Sequence, residues 1–213
     1  MDTAITLYHA PQTRSTGVRV LLAELGAPHR LHVLNMKAGE HRAAAYLAVN
    51  PMGKVPALTR GDTVVTEQAA IYLYLADLFP EAGLAPGLDD PLRGPYLRWM
   101  VYYGSSFEPA VIDRALQREA GPRAMSAYGD FDTVMTTLTE ALAKGPYLLG
   151  ERFSAADILW GTALGWTTSF KLVPETPTIR DYIARTNGRP AATRIAAEDA
   201  ALSAEHAAAQ GTA

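Results

Sequence analysis

Asn50-Pro-Met-Gly-Lys-Val-Pro-Ala-Leu58 sets a proline where an extended backbone is about to begin. Proline cannot donate to a sheet ladder, so Pro56 belongs at the mouth of a strand or on an edge. Taken alone, the nine residues are satisfied by an ordinary trans proline, because cis X-Pro bonds are a small minority. The other reading is a cis Val55-Pro56 bond, which turns the preceding backbone toward something extended that docks beside it. The flanking sequence decides between them.

Upstream, Ile5-Thr-Leu-Tyr8 alternates and predicts a strand, closed by His9-Ala-Pro11. Val18, Leu21, Leu22 and Leu25 then share one helical face, with Gly26 placed to end that helix. Residues 31–34 predict a second strand, and a short helix over 43–49 leads into the quoted stretch. Downstream, strands over 57–59 and 63–65 flank Arg60-Gly-Asp62, a hairpin signal. A helix over 67–79 carries Ala70, Ile71, Tyr74, Leu75 and Leu78 at helical spacing. The order β-α-β-α-β-β-α in residues 1–79 predicts an α/β sandwich with mixed strand directions.

Residues 80–91 are rich in Pro and Gly and read as a linker, and 92–213 predict an all-helical C-terminal domain. Its helices are expected over 92–119, 130–144, 155–170, 178–187 and 191–202, the last alanine-rich. One start is well specified: Ser154 is placed to cap, Asp157 to answer it in a capping box, and Phe153 to staple against Ile158.

A chain of 213 residues can bury a sizeable core in one or two domains, and 48% hydrophobic residues is an ordinary globular value. A formal charge of -3 without a basic run argues against a nucleic-acid surface. No apolar run approaches a membrane span and the N-terminus has no secretory pattern, so a soluble cytoplasmic protein is expected. With no cysteine, disulfides, Cys-ligated zinc and a protein thiol nucleophile are excluded, and no metal site is predicted. Any thiol chemistry must use a thiol that arrives with a ligand.

Leu7-Tyr8 followed by Thr13-Arg14-Ser15, then NPMGKVPAL, TEQAAIYLYLAD over 66–77 and FSAADI over 153–158 stand in an order and spacing that resemble the cytosolic glutathione S-transferase family. The hydroxyl at the first turn is similar to the serine-type theta, phi and zeta members, with threonine where serine is usual. The resemblance implies a thioredoxin-like N-terminal domain, glutathione as co-substrate and a cytoplasmic homodimer. It also implies that the 55–56 peptide is cis and that the backbone of Val55, oriented by Pro56, pairs with the cysteinyl part of glutathione.

Glutathione presents an ammonium, two carboxylates and a thiol, so its site needs one acid, several donors and an extended edge. Glu67 and Gln68 begin a helix whose free N–H groups and dipole suit the γ-glutamyl carboxylate, with Glu67 available for the ammonium. Lys54 and His41 are candidates for the glycyl carboxylate, because theta-like members carry basic residues at matching positions. A thiol of pKa near 8.5 is mostly protonated at pH 7, so the site must aim donors at sulfur. Thr13 matches the catalytic serine of serine-type members, Ser15 stands two residues on at the expected helix N-cap, and Tyr8 matches the tyrosine of alpha, mu and pi members. Cysteine-dependent relatives use a cysteine in this turn; Arg14 occupies the nearest position here, which excludes mixed-disulfide exchange through the protein.

The electrophile is expected against the helix after the linker, where Tyr102, Tyr103 and Ser106 offer aromatic and polar groups around Gly104. Trp166 and Phe170 are placed to close such a pocket, and Arg114 to meet an anionic substrate. The expected function is a glutathione transferase acting on an apolar or aromatic electrophile. The alternatives are a glutathione-dependent isomerase or ether-cleaving enzyme, and a non-catalytic binding or regulatory module of the same fold.

Overall fold

The computed structural model describes residues 4–210, which divide into two compact units. The first holds residues up to Ala82 together with those from Arg189 onward, and the second holds Gly83–Gly188.

The first unit is built on a four-stranded sheet in the order β2-β1-β3-β4, with β1 (Ile5–His9), β2 (His29–Val33), β3 (Ala57–Arg60) and β4 (Thr63–Val65). β1 pairs parallel to β2, with His9 opposite Val33, and antiparallel to β3, with Tyr8 opposite Ala57. Its alternation sends Ile5, Leu7 and His9 inward, where all three are buried. A histidine thus stands where the strand pattern calls for an apolar residue.

Between the two parallel strands, α1 (Ser15–Glu24) buries Val18, Leu21 and Leu22. The Ala27 N–H donates to the Leu22 carbonyl and the Gly26 N–H to Ala23, a Schellman ending. The short α2 (Ala44–Leu47) places Tyr46 in a small core with Leu34 and Ala57, against which Tyr8, Val49 and Val55 pack. α3 (Gln68–Leu78) buries Ile71, Tyr72, Leu75 and Ala76.

The second unit is helical: α4 (Arg93–Tyr102), α5 (Glu108–Ala115), α6 (Phe131–Leu142), α7 (Ala155–Ser169) and α8 (Pro177–Asn187). The single helix expected over 92–119 is broken, because 103–107 widens into a π-helical turn through Gly104, Ser105 and Ser106. Trp160 is the centre of this core, ringed by Trp99, Tyr102, Tyr103 and Phe107, and its indole N–H donates to the Trp99 carbonyl at 3.0 Å.

The capping box closes as expected: the backbone N–H and hydroxyl of Ser154 donate to Asp157 Oδ2 at 2.9 and 3.0 Å. Asp157 Oδ1 also accepts the Leu148 N–H and the Tyr182 hydroxyl, at 2.9 and 2.8 Å. Phe153 packs edge-on against Tyr147.

The last helix, α9 (Pro190–Gln210), departs from the expected single cut of the chain at 80–91. It belongs with the first unit because Asp199, 3% exposed, is the anchor for a ring of donors on the first strand, turn and helix. Arg19 Nη1 donates to Asp199 Oδ1 at 2.5 Å, the Gln12 N–H donates to Oδ2 at 3.1 Å, and Thr16 Oγ1 donates to the same oxygen. Arg189, one residue before α9, forks onto Glu24 with Nε and Nη2 at 2.8 and 2.7 Å.

Candidate functional site

The loop that carries the quoted stretch is fixed from within. Asn50, buried, accepts the Met52 N–H on its side-chain oxygen at 3.1 Å and donates from Nδ2 to the Lys54 carbonyl at 2.8 Å. The Tyr46 hydroxyl donates to the same carbonyl at 2.5 Å. Burial pushes the Tyr46 phenol up to about 12, with Asn50 lowering it and Tyr8 raising it, so it stays a donor at any working pH.

Gly53 sits at φ +60, and a Cβ there would stand 2.8 Å from the His41 carbonyl oxygen. Only glycine lets the loop lie against 41–42, and this brings Lys54 and His41 into one neighbourhood. The Lys54 side chain is exposed, whereas His41 Nδ1 is buried without a hydrogen-bond partner among the described residues.

The Val55-Pro56 peptide is cis, as the resemblance implies. Val55 is half-buried, and among the described residues no hydrogen bond takes its N–H or C=O. An unpaired N–H and C=O at the head of β3 is a free docking edge for an extended peptide-like ligand.

The start of α3 lies across from this edge in sequence order and is unusual in its backbone. Glu67 occupies the N-cap at φ 65 and ψ 119, a conformation a non-glycine residue holds only when its surroundings enforce it. Its side chain is exposed and makes no cap bond, so the first N–H groups of α3 have no side-chain cap. Gln68 Nε2 donates to the Arg14 carbonyl at 3.0 Å, which ties the start of α3 to the turn before α1. Gln68 Oε1 is buried and unpartnered.

The three hydroxyls expected near sulfur stand in different surroundings. Tyr8 is packed between His32 and Tyr46, with ring centroids 5.0 and 5.5 Å away, a core arrangement on the far side of β1 from His9. Ser15 is not the N-cap of α1; Arg14 is, and Ser15 begins the helix with its side chain turned back. That hydroxyl is 0% exposed, accepts the Ala10 N–H at 3.2 Å, and lies 2.8 Å from His9 Nδ1. Thr13 is half-buried, with Oγ1 2.7 Å from the Ala10 carbonyl oxygen and 2.7 Å from Ser15 Oγ.

Burial alone would raise the Asp199 carboxyl. The hydrogen bonds from His9 and Thr16, the charge of His9 and the Gln12 N–H outweigh it and bring the carboxyl down to about 2. His9, Asn50 and Asp199 were not singled out from sequence. Asn50 lay inside the quoted motif, and a histidine at an inward strand position was the available signal for His9.

In the second unit, the residues expected at the electrophile divide into core and surface. Tyr103 is 2% exposed and donates its hydroxyl to Glu108 Oε1 at 3.2 Å. Tyr102 donates to the Val134 carbonyl at 3.3 Å, and burial raises its phenol. Ser106 lies on the π-helical turn, 3.4 Å from Ser105 Oγ. Arg114 is exposed over the Phe131 ring at 4.1 Å and 3.9 Å from Asp132. Phe170 is 70% exposed and meets Trp166 edge-on.

A cleft of about 560 Å³ opens at the other end of β1, lined by Ala4, Pro28, Arg30, Arg60 and Phe79, and contains none of the expected site residues. Among the described residues no cluster suited to a metal ion occurs, and no helix is long and apolar enough to cross a membrane.

A sheet of this order with a cis proline heading β3, a strained helix start and an all-helical second unit defines the thioredoxin-like architecture with a helical partner. Residues 3–77 match the family model described as glutathione S-transferase, N-terminal domain, and 109–185 match glutathione S-transferase, C-terminal domain. A glutathione transferase from Methylococcus capsulatus is 30% identical, with TM-score 0.78 over 92% of this chain and 99% of that one. A sphingomonad glutathione S-transferase complexed with glutathione is 28% identical, with TM-score 0.76 over 92% and 98% of the two chains. Glutathione S-transferase APIC of Nicotiana tabacum is 29% identical over 73% of this chain and 78% of its own. The chain belongs to the glutathione S-transferase family.

Proposed function

We propose that the protein is a glutathione transferase in which the Thr13 hydroxyl stabilises the glutathione thiolate for attack on an apolar or aromatic electrophile. The observation that carries the choice of residue is the contrast between the two hydroxyls at the start of α1: Ser15 is sealed at 0% exposure, and Thr13 is the half-buried one. In this reading the cysteinyl unit pairs with the backbone of Val55 beside Pro56. The γ-glutamyl carboxylate meets the N–H groups opening α3 at Gln68, and Glu67 takes the ammonium. Lys54 and His41 hold the glycyl carboxylate.

The chemistry asked of the site is modest. Lowering a thiol from about 8.5 by one unit requires about 1.4 kcal/mol of preference for the thiolate. A hydrogen bond to a charged acceptor supplies about 1.5–3 kcal/mol, and the α1 dipole assists because sulfur lies at its positive end. Glutathione complexes among related structures support the co-substrate. A homodimer in the cytoplasm belongs to the same proposal.

The test compares conjugation of a nitroaryl chloride by the wild type, Thr13→Ala and Ser15→Ala. A loss of kcat/KM in Thr13→Ala with glutathione binding retained is expected, larger than any loss in Ser15→Ala; equal rates in all three would remove the hydroxyl from the mechanism.

A further inference from the structure

Behind the two hydroxyls stands a buried line of groups that glutathione binding does not use. His9, at the end of β1, is 0% exposed, with Nδ1 2.8 Å from Ser15 Oγ and Nε2 3.0 Å from Asp199 Oδ1 in an ion-pair contact. Ser15 Oγ is in turn 2.7 Å from Thr13 Oγ1. A carboxylate, an imidazole and two hydroxyls therefore run without a gap from the core of the unit to the half-buried Thr13. The ordering of the protons follows from the charge at the buried end. In the form that can accept a proton, the ring carries its one proton on Nε2, facing the Asp199 carboxylate, and turns the Nδ1 lone pair toward Ser15. The Ala10 N–H donates to Ser15 Oγ at 3.2 Å, and the Ala10 carbonyl is the rival acceptor for both hydroxyl protons, 3.1 Å from Ser15 Oγ and 2.7 Å from Thr13 Oγ1; the relay operates with both hydroxyls turned from that carbonyl toward His9.

We propose that His9 is the proton acceptor for the glutathione thiol, reached through Thr13 and Ser15, with Asp199 on α9 as the positioning residue that orients the ring and stabilises its charged form. The proposal rests on the reading of Thr13 as the sulfur-facing hydroxyl. As the S–H bond breaks, its proton bonds to Thr13 Oγ1. The former Thr13 hydroxyl proton bonds to Ser15 Oγ, and the former Ser15 proton bonds to His9 Nδ1. Nothing is oxidised or reduced; the sulfur keeps the electron pair, and the positive charge appears on the imidazole.

The exchange also reverses the chain. Before it, each hydroxyl donates toward His9; after it, His9 donates to Ser15, Ser15 to Thr13, and Thr13 to the thiolate, so every dipole favours the anion. The groups around His9 suit a transient cation. Asp199 faces it directly from α9, and Glu198 lies beside that carboxylate. From α1, Arg19 opposes the imidazolium but is spread over Asp199 and Glu198, both at 2.5 Å, and Arg194 shares Glu198 at 2.8 Å. Thr16 donates to Asp199, and on β2 the apolar Val33 stands opposite His9 in the strand register.

The decisive experiment counts protons. Glutathione is mixed with wild-type protein at about pH 7.5, chosen to lie below the free thiol pKa. Thiolate formation is read from ultraviolet absorbance, and proton release from a pH indicator in weak buffer. Retention of the proton predicts release well below one proton per thiolate formed; release of one proton per thiolate overturns the relay and needs no variant. In Ser15→Ala, which keeps Thr13 and His9, release should rise to one proton per thiolate and the thiol pKa should rise by about one unit, and His9→Gln should match it. Unchanged stoichiometry and pKa in both folded variants also overturn the relay. Failure of the underlying reading looks different: no glutathione binding, or a thiolate unaffected by Thr13→Ala.

Discussion

Two buried carboxylates in this chain each draw several partners and behave in opposite ways. Asp157 in the second unit accepts from Ser154 twice, Leu148 and Tyr182, all neutral groups. Burial is its largest influence and pushes the carboxyl up, while the four hydrogen bonds pull it back. Asp199 in the first unit accepts from Gln12, Thr16 and Arg19 and stands 3.0 Å from His9 Nε2 in an ion-pair contact, and its carboxyl is held at about 2. Neutral donors alone satisfy a helix start; at Asp199 a guanidinium and an imidazole join the neutral donors beside the anion. Only the second arrangement can answer a proton moving nearby.

The largest effect should come from the neutral site. Asp157→Ala leaves several buried donors without a partner at about 1–3 kcal/mol each, so a loss of at least about 3 kcal/mol in unfolding free energy is expected by denaturant titration. Any folded Asp157→Ala protein should bind glutathione with an unaltered thiol pKa; a shifted pKa would break the distinction between the two carboxylates. Asp199→Asn keeps the shape and removes the charge that Arg19 faces. A loss of about 2–4 kcal/mol is expected, accompanied by a raised thiol pKa, and stability lost without that rise would reduce Asp199 to an anchor for α9.

The acid limb of stability sharpens the same contrast. A folded pKa near 2 lies below the unfolded value, so the Asp199 contribution is complete above about pH 4 and is lost as pH falls through about 2. Wild type should lose stability across that window by an amount that Asp199→Asn does not show, measured as the pH dependence of the denaturant midpoint. The smallest effect should be at Arg114, exposed over Phe131, where Arg114→Ala should change stability by less than about 1 kcal/mol.

The two carboxylates also differ in how far sequence reveals them. Asp157 follows Ser154 by three residues, and a capping box is a local pattern, so it was legible. The helix start at Glu67 was legible for the same reason, inside a short motif, whereas the cis 55–56 peptide was legible only through the family resemblance, since its nine residues alone are satisfied by a trans proline. Asp199 meets Gln12, Thr16 and Arg19 across more than 179 positions, and Glu198-Asp199 in an alanine-rich helix looks like a solvated face. Ser15 was expected to cap α1, but His9 and Ala10 supply partners inside the fold, and the hydroxyl turned toward them. The π-helical break at 103–107 interrupts a continuous helical pattern, with Gly104-Ser105-Ser106 as the faint signal.

The central claim is that Thr13 donates to the glutathione sulfur. The most direct measurement is the pH titration of thiolate absorbance for bound glutathione in wild type and Thr13→Ala. A wild-type thiol pKa about 1–2 units below 8.5 that returns toward 8.5 in the variant is the predicted result. The same depressed pKa in both proteins would contradict it.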